Sequence, residues 1–119
     1  MPPLACCSIT THVLDTARGR PAAGVPITLE HRVDDGAWAP VGSGVTDDDG
    51  RLRTLVPAAM RLVVGVYRLT FDTDLYFSSL GVEGFFPEAV IVFHVRDAGQ
   101  HHHVPLLLSP FGYSTYRGS

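Results

Sequence analysis

The sequence of 119 residues has few cysteines, no excess of positive charge and no long apolar run. Its two cysteines are the neighbours Cys6 and Cys7, which cannot join separate parts of the chain, so we expect reduced thiols. A net charge of −3 gives no basic surface for nucleic acid or a membrane. No stretch approaches the ~18 apolar residues of a membrane span, and residues 1–4 lack the basic start of a signal peptide. We therefore expect a cytoplasmic protein.

Several familiar catalytic motifs are also missing from the sequence. It contains no glycine-rich phosphate loop, no serine in a nucleophile elbow and no cysteine and histidine spacing typical of zinc. The acidic run at 47–50 lacks the alternating ligands and the distant glutamate of a calcium loop, so it predicts a turn with solvated charges. Histidines and arginines are left as the candidates for chemistry.

The length and the hydrophobic pattern predict one all-β domain over residues 1–119, with 1–7 as a flexible N-terminus. Alternating apolar and polar residues predict strands at 8–15, 25–33, 38–46, 51–53, 65–71, 89–96, 101–108 and 113–117. Residues 73–80 favour one short helix, capped by Asp72 or Thr73, with Leu75, Tyr76 and Leu80 on its apolar side. We expect a sandwich of seven to eight strands.

The last nineteen residues combine three histidines with an apolar run, a turn and a polar tail. Strand alternation places His101 and His103 on one face and His102 on the other. Pro105 predicts an edge position or a bulge, because proline cannot donate to a ladder. Residues 109–112 predict a hairpin turn, so the second arm at the C-terminus should be held against the sheet.

Two chemistries fit the His101 and His103 pair. A histidine pair on one strand face is a common metal-ligand spacing, and His12 could supply a third ligand. Histidine is also well suited to proton transfer near pH 7, with Arg51 or Arg53 holding negative charge. The spacing alone does not choose between them.

Five segments of the sequence resemble the 5-hydroxyisourate hydrolases, the enzymatic relatives of transthyretin. The segments are 10–16, 49–51, 67–72, 104–110 and the closing tetrapeptide 116–119. The resemblance implies a transthyretin-like β-sandwich, assembled as a homotetramer with sites at the dimer–dimer interface. It also implies hydrolysis of 5-hydroxyisourate, the product of urate oxidation, to 2-oxo-4-hydroxy-4-carboxy-5-ureidoimidazoline. Neither a metal nor an organic cofactor is implied.

The same resemblance assigns roles to residues of this chain. It implies a catalytic set of His12, Arg51, His103 and Ser119, and it implies that these residues bind substrate together with Tyr116, Arg117 and Gly118. His101 is expected to support His103 from the same face. His102 stands where many relatives have tyrosine and receives no role, and Arg53 lies outside the matched motif, so we expect it at the surface.

Two other functions compete with the hydrolase. A transthyretin-like carrier would bind a small ligand without hydrolysing it, but the hormone carriers do not keep His12, Arg51, His103 and the closing tetrapeptide together. A histidine-rich metal-binding β-module would lose its function on treatment with a chelator, whereas the implied hydrolase would not.

Overall fold

A computed structural model of the protein describes residues 8–119, so the expected flexible N-terminus and the cysteine pair lie outside the described residues. Within this range the chain forms nine strands and one helix. In order they are β1 Ile9–Asp15, β2 Arg20–Pro21, β3 Pro26–Arg32, β4 Trp38–Val45, β5 Arg51–Leu52, β6 Gly65–Phe71, α1 Thr73–Ser79, β7 Ala89–Val95, β8 His102–Ser109 and β9 Gly112–Thr115.

The strands form two sheets that enclose the core. One sheet has the order β2-β1-β8-β9, with β5 also paired to β1, and the other has the order β4-β3-β6-β7. Alternating positions bury Ile27 and Leu29 from β3 and Leu69 and Phe71 from β6 between the sheets. Each such side chain contributes about 1.5–3 kcal/mol by leaving water. The predicted all-β two-sheet sandwich with one short helix is confirmed.

A parallel ladder between β1 and β8 joins the two ends of the described chain. Its register runs without a break from the pair Ile9 and His102 to the pair Asp15 and Leu108. The polar residues near the N-terminal end of the sequence therefore lie beside the histidines near its C-terminal end. This juxtaposition positions the site.

The prediction for Pro105 is wrong, because β8 is an interior strand and its ladder with β1 contains no bulge. The missing N–H of Pro105 faces β9, where regular pairing begins only at Leu106 and Thr115. The carbonyl of Pro105 faces the same side and accepts a hydrogen bond of 2.7 Å from the Thr115 hydroxyl. Proline is tolerated here because the ladder with β9 ends next to it.

Helix α1 has the predicted cap but a different buried side. The Asp72 carboxylate accepts a 3.0 Å hydrogen bond from the Leu75 backbone N–H. Tyr76 and Phe77 are buried, whereas Leu75 and Leu80 are exposed, so the predicted apolar side is wrong for both leucines. The buried Tyr76 hydroxyl donates to Asp15 over 2.7 Å and fixes the rotation of the helix. Among residues 8–119, no helix is long and apolar enough to cross a membrane.

Two further details differ from the sequence prediction. The described residues form nine strands, not the expected seven to eight, because strand β2 lies in the segment expected to be a loop, where it pairs with the end of β1. The second arm of the C-terminal hairpin ends at Thr115, two residues earlier than expected. The turn at 34–36 forms as predicted, with Gly36 at a φ of 85°.

Candidate active site

A cleft of about 190 Å³ lies on the outer face of the sheet that contains β1 and β8. It is lined by Thr10, Thr11, Arg51, Arg53, His101, His103 and Ser119. The cleft therefore collects side chains from β1, from β5, from the segment at the start of β8 and from the C-terminus. The strand β1 is the centre of this arrangement, because it pairs with β8 on one edge and with β5 on the other.

The register of these two pairings sets the neighbours across the cleft. Thr10 lies opposite His103 in the parallel ladder, and His12 lies opposite Arg51 in the antiparallel one. Thr10 and His12 are two residues apart on one strand, so their side chains point to the same face. The structure thus brings the predicted residues His12, Arg51 and His103 to one face of one sheet.

Arg51 is positioned by the turn that precedes it. The Asp47 carboxylate accepts hydrogen bonds from the backbone N–H groups of Asp49, over 2.9 Å, and Arg51, over 3.0 Å. The hydrogen bond from Arg51 lowers the pKa of Asp47 below 3.8. Gly50 has a φ of 75°, and its carbonyl accepts a 2.7 Å hydrogen bond from Val13 in β1. The acidic run forms the predicted turn, and that turn holds Arg51 beside β1.

His103 is half-buried and lies among cationic neighbours. Its Nδ1 lies 2.8 Å from the Thr10 hydroxyl. Burial lowers the pKa of His103 below 6.5, and the positive charges of Arg51, His101, His12 and Arg53 lower it further, in that order. The imidazole is therefore neutral at pH 7 and can accept a proton.

His101 is exposed and reaches the same hydroxyl as His103. Its Nε2 lies 2.7 Å from Thr10 Oγ1, and the two imidazole centroids are 6.3 Å apart. The histidine pair on this face thus converges on a threonine hydroxyl. Residues 8–119 contain no group of three histidine, cysteine, aspartate or glutamate side chains placed to hold a metal ion.

The C-terminal tail is fastened to β8 beside His103. The backbone N–H of Gly118 donates to the His103 carbonyl over 2.8 Å. The Gly118 backbone also lies against the imidazole, since a Cβ added there would be 2.6 Å from His103 Cδ2. Ser119 follows directly and lines the cleft.

The other two residues of the tetrapeptide lie elsewhere in this chain. Tyr116 and Arg117 line a second cavity of about 300 Å³ together with His102 and residues of β7. Arg117 donates to the Gln100 side chain over 3.1 Å. The single chain therefore does not bring Tyr116 and Arg117 into the cleft with His103 and Ser119.

Three lining residues, Thr10, Thr11 and Arg53, were not among the predicted site residues. Arg53 is exposed, as expected, and it also lines the cleft. The alternation that places it on the same face as Arg51 is the signal for it in the sequence. Thr10 is buried and central, and its signal is its position two residues before His12 on a strand.

Fold and cleft together define a β-sandwich protein whose site consists of histidine, arginine and hydroxyl side chains. The model of the HIUase/Transthyretin family matches residues 9–118, and the chain belongs to this family.

Relatives of this chain include proteins named 5-hydroxyisourate hydrolase and a transthyretin. The 5-hydroxyisourate hydrolase of Salmonella dublin is 46% identical over 93% of this chain and 80% of its own length. The structure of Klebsiella pneumoniae 5-hydroxyisourate hydrolase matches 94% of this chain and 99% of that one, with 37% identity and a TM-score of 0.80. Sea bream transthyretin, solved with thyroxine, matches 94% of this chain and 95% of its own, with 34% identity and a TM-score of 0.87. Because the fold serves both, the site residues must decide the function.

Proposed function

We propose that this protein hydrolyses 5-hydroxyisourate to 2-oxo-4-hydroxy-4-carboxy-5-ureidoimidazoline in urate catabolism. The observation that carries the proposal is the cleft that joins His103, Arg51 and Ser119 beside His12. Proteins named for this activity are 46% and 48% identical to the chain over more than nine tenths of its length.

Histidine-assisted attack of water begins the reaction. His103 Nε2 removes a proton from a water molecule that His12 helps to position, and the oxygen forms a bond to a ring carbonyl carbon. A neutral imidazole is required for this step, and the pKa of His103, lowered first by burial, provides it at pH 7. The ring C–N bond then breaks, and the proton held by His103 passes to the leaving nitrogen.

Arg51 stabilises the negative charge that develops on the carbonyl oxygen. Its guanidinium is always protonated, and the turn at 47–50 holds the backbone of Arg51 beside β1. A cation placed where negative charge develops lowers the barrier, because it stabilises the transition state more than the ground state. We assign Arg51 this role and place Arg53 next to it as a second positive charge.

The C-terminal tetrapeptide completes the site. Ser119, with its hydroxyl, orients the substrate or a histidine in the cleft that it lines. Gly118 lets the tail lie flat against His103. Tyr116 and Arg117 are proposed as further substrate contacts, although this chain alone places them at the second cavity and not in the cleft. Tyr116 is 57% exposed.

The proposed assembly is a cytoplasmic homotetramer with its sites at the interface between dimers. Two features support self-association. Strands β7 and β9 each form one edge of a sheet within the chain. In addition, Phe85 and Phe111 are 70% and 73% exposed, which is typical of surfaces that become covered. Native mass spectrometry should give four times the chain mass of 12.9 kDa.

The direct test is to generate 5-hydroxyisourate with urate oxidase and follow its decay by absorbance. The protein should accelerate that decay in proportion to its concentration, and dialysis against a chelator should leave the rate unchanged. An unaltered spontaneous decay would contradict the hydrolase and favour a carrier. Loss of the rate on chelation would favour a metal site.

A second test concerns the terminus. Ser119 lines the cleft, so removing it should lower the rate about tenfold or more. Ser119→Ala keeps the length of the tail and removes only the hydroxyl, so an equal loss in that variant assigns the effect to the hydroxyl. Full activity in the truncated protein would refute a role for the terminus.

A further inference from the structure

Thr10 lies between two histidines at the base of the cleft. Its hydroxyl is 2.7 Å from His101 Nε2 and 2.8 Å from His103 Nδ1. The residue is 5% exposed, whereas His101 beyond it is exposed to solvent. The hydroxyl therefore connects a half-buried imidazole to one at the surface.

Proton counting restricts this chain of hydrogen bonds to two arrangements. A hydroxyl has one proton to donate, and each neutral imidazole has one N–H. The buried Thr10 hydroxyl has these two imidazoles as its hydrogen-bond partners, so its own proton must go to one of them. With both histidines neutral, Thr10 therefore donates to one of them and accepts from the other. Either His103 carries its proton on Nδ1 and leaves Nε2 as an acceptor, or the reverse holds.

The surroundings of His103 favour the first arrangement. Nδ1 is taken by Thr10, so Nε2 is the nitrogen available to the cleft, where Arg51 and Arg53 are neighbours that can only donate. An unprotonated Nε2 is compatible with those donors, and a protonated one is not. Exposed His101 can adopt the matching tautomer with its proton on Nδ1, because water satisfies that side of its ring.

We propose that Thr10 is a positioning residue for the hydrolysis. It accepts the Nδ1 proton of His103 and donates to His101, which keeps His103 Nε2 unprotonated and aimed into the cleft. The inference rests on the proposed role of His103 as the proton acceptor. The titratable and charged groups that face His103 are His12 on β1, Arg51 and Arg53 after the turn, and His101 on the adjoining segment.

The test compares three variants in the 5-hydroxyisourate assay. Thr10→Val keeps the shape of the side chain but removes the hydroxyl, so we expect kcat to fall about ten- to a hundredfold while KM changes little. Thr10→Ser restores the hydroxyl and should recover most of the rate. Thr46→Val is the matched control. It removes another buried hydroxyl with two hydrogen bonds, to Ala22 and Val25, in a part of the structure outside the cleft, and it should leave kcat unchanged.

Spectroscopy separates positioning from simple loss of structure. In the protein labelled with ¹⁵N-histidine, His103 should be found with its proton on Nδ1 at pH 7.5, and Thr10→Val should give a mixture of tautomers. The acid limb of the kcat profile should also move to lower pH in Thr10→Val, since the variant loses an acceptor for the imidazolium N–H. A wild-type His103 protonated on Nε2, or a Thr10→Ser variant as slow as Thr10→Val, would overturn the inference.

The variant His103→Ala distinguishes failure of this inference from failure of the proposed function. If His103→Ala is inactive and Thr10→Val has the wild-type kcat, His103 keeps its role and the positioning by Thr10 is wrong. If His103→Ala retains the wild-type rate, the proposed mechanism itself fails.

Discussion

The two faces of the β1 and β8 ladder show how one pair of strands serves both the site and the core. On the outer face Thr10 and His103 lie opposite each other and line the cleft. On the inner face, one residue further along, Thr11 and Val104 are buried, and the Thr11 hydroxyl donates to the Val104 carbonyl over 2.6 Å. A shift of one residue therefore turns the side chains of Thr10 and His103 to the outer face and those of Thr11 and Val104 to the inner face, although Thr11 also borders the cleft.

The adjacent residues His102 and His103 show most directly how the inner and outer faces differ. Burial is the main cause that lowers the pKa of both, and the next cause is Arg117 for His102 and Arg51 for His103. The Nδ1 of His103 has Thr10 as a partner, whereas the Nδ1 of His102 is the one buried side-chain nitrogen or oxygen without a partner in the described chain. A lowered pKa alone thus does not mark a catalytic histidine. Its partners and the face on which it lies do.

The largest expected effect comes from removing the cation of the outer face. Arg51→Ala should lower kcat/KM for 5-hydroxyisourate by about two to three orders of magnitude, because the charge that stabilises the developing oxyanion is lost. Circular dichroism and native mass should not change, since the turn at 47–50 uses the backbone N–H of Arg51. Arg61→Ala, at an exposed arginine outside the cleft, is the control and should be fully active. Wild-type activity in Arg51→Ala would remove the arginine from the mechanism.

A smaller loss of activity should follow from Gly118→Ala, which places a methyl group against the His103 imidazole. In Gly118→Ala the new Cβ would lie 2.6 Å from His103 Cδ2 and 3.3 Å from Pro105 Cγ, so the imidazole must move. A displacement of about 1 Å can cost about a hundredfold in rate. Gly112→Ala, on the same hairpin arm, meets its nearest neighbour at 3.9 Å and should behave as wild type. Equal kcat values for the two variants would show that the tail does not position His103.

Alternation made the outer face predictable from the sequence, because a strand period of two assigns every residue to a face. The separation of His101 and His103 from His102 followed from that rule, whereas the choice of His12 and His103 as site residues came from the family resemblance. Thr10 was missed because threonine is common in strands for its shape and its hydroxyl carries no signal of its partners. The rotation of α1 depends on the Tyr76 and Asp15 contact, 61 residues apart, which no local pattern contains.

The same limit explains Pro105. Pro105 lacks a backbone N–H, as the sequence shows. Whether that missing donor interrupts the sheet depends on where β9 ends, which is a property of the tertiary pairing. Strand β2 has only two residues, too short to show a period, and it exists because the end of β1 offers a free edge.

The smallest expected effect belongs to the inner face and concerns stability. His102→Phe removes a buried nitrogen without a partner, and the adjacent cavity of about 300 Å³ leaves room for the larger ring. Because a buried unpaired polar group costs about 1–3 kcal/mol, we expect the variant to be equally stable or slightly more stable at pH 8. Its kcat should be that of the wild type, since the side chain faces away from the cleft.

The pH dependence of unfolding makes this prediction sharper. Burial lowers the folded-state pKa of His102 below 6.5, so above pH 6.5 both folded and unfolded states are neutral and no stability is lost. As the pH falls from 6.5 through the folded pKa, the unfolded chain binds a proton that the folded one does not, and stability falls by up to about 1.4 kcal/mol per pH unit. Urea denaturation of His102→Phe should therefore show a shallower loss between pH 6.5 and pH 5 than the wild type. Some loss should remain, because the pKa of His103 is lowered in the same direction. If the stability of the two proteins falls equally steeply between pH 6.5 and pH 5, His102 takes up its proton in the folded state as readily as in the unfolded state. Burial on the inner face would then not lower its pKa.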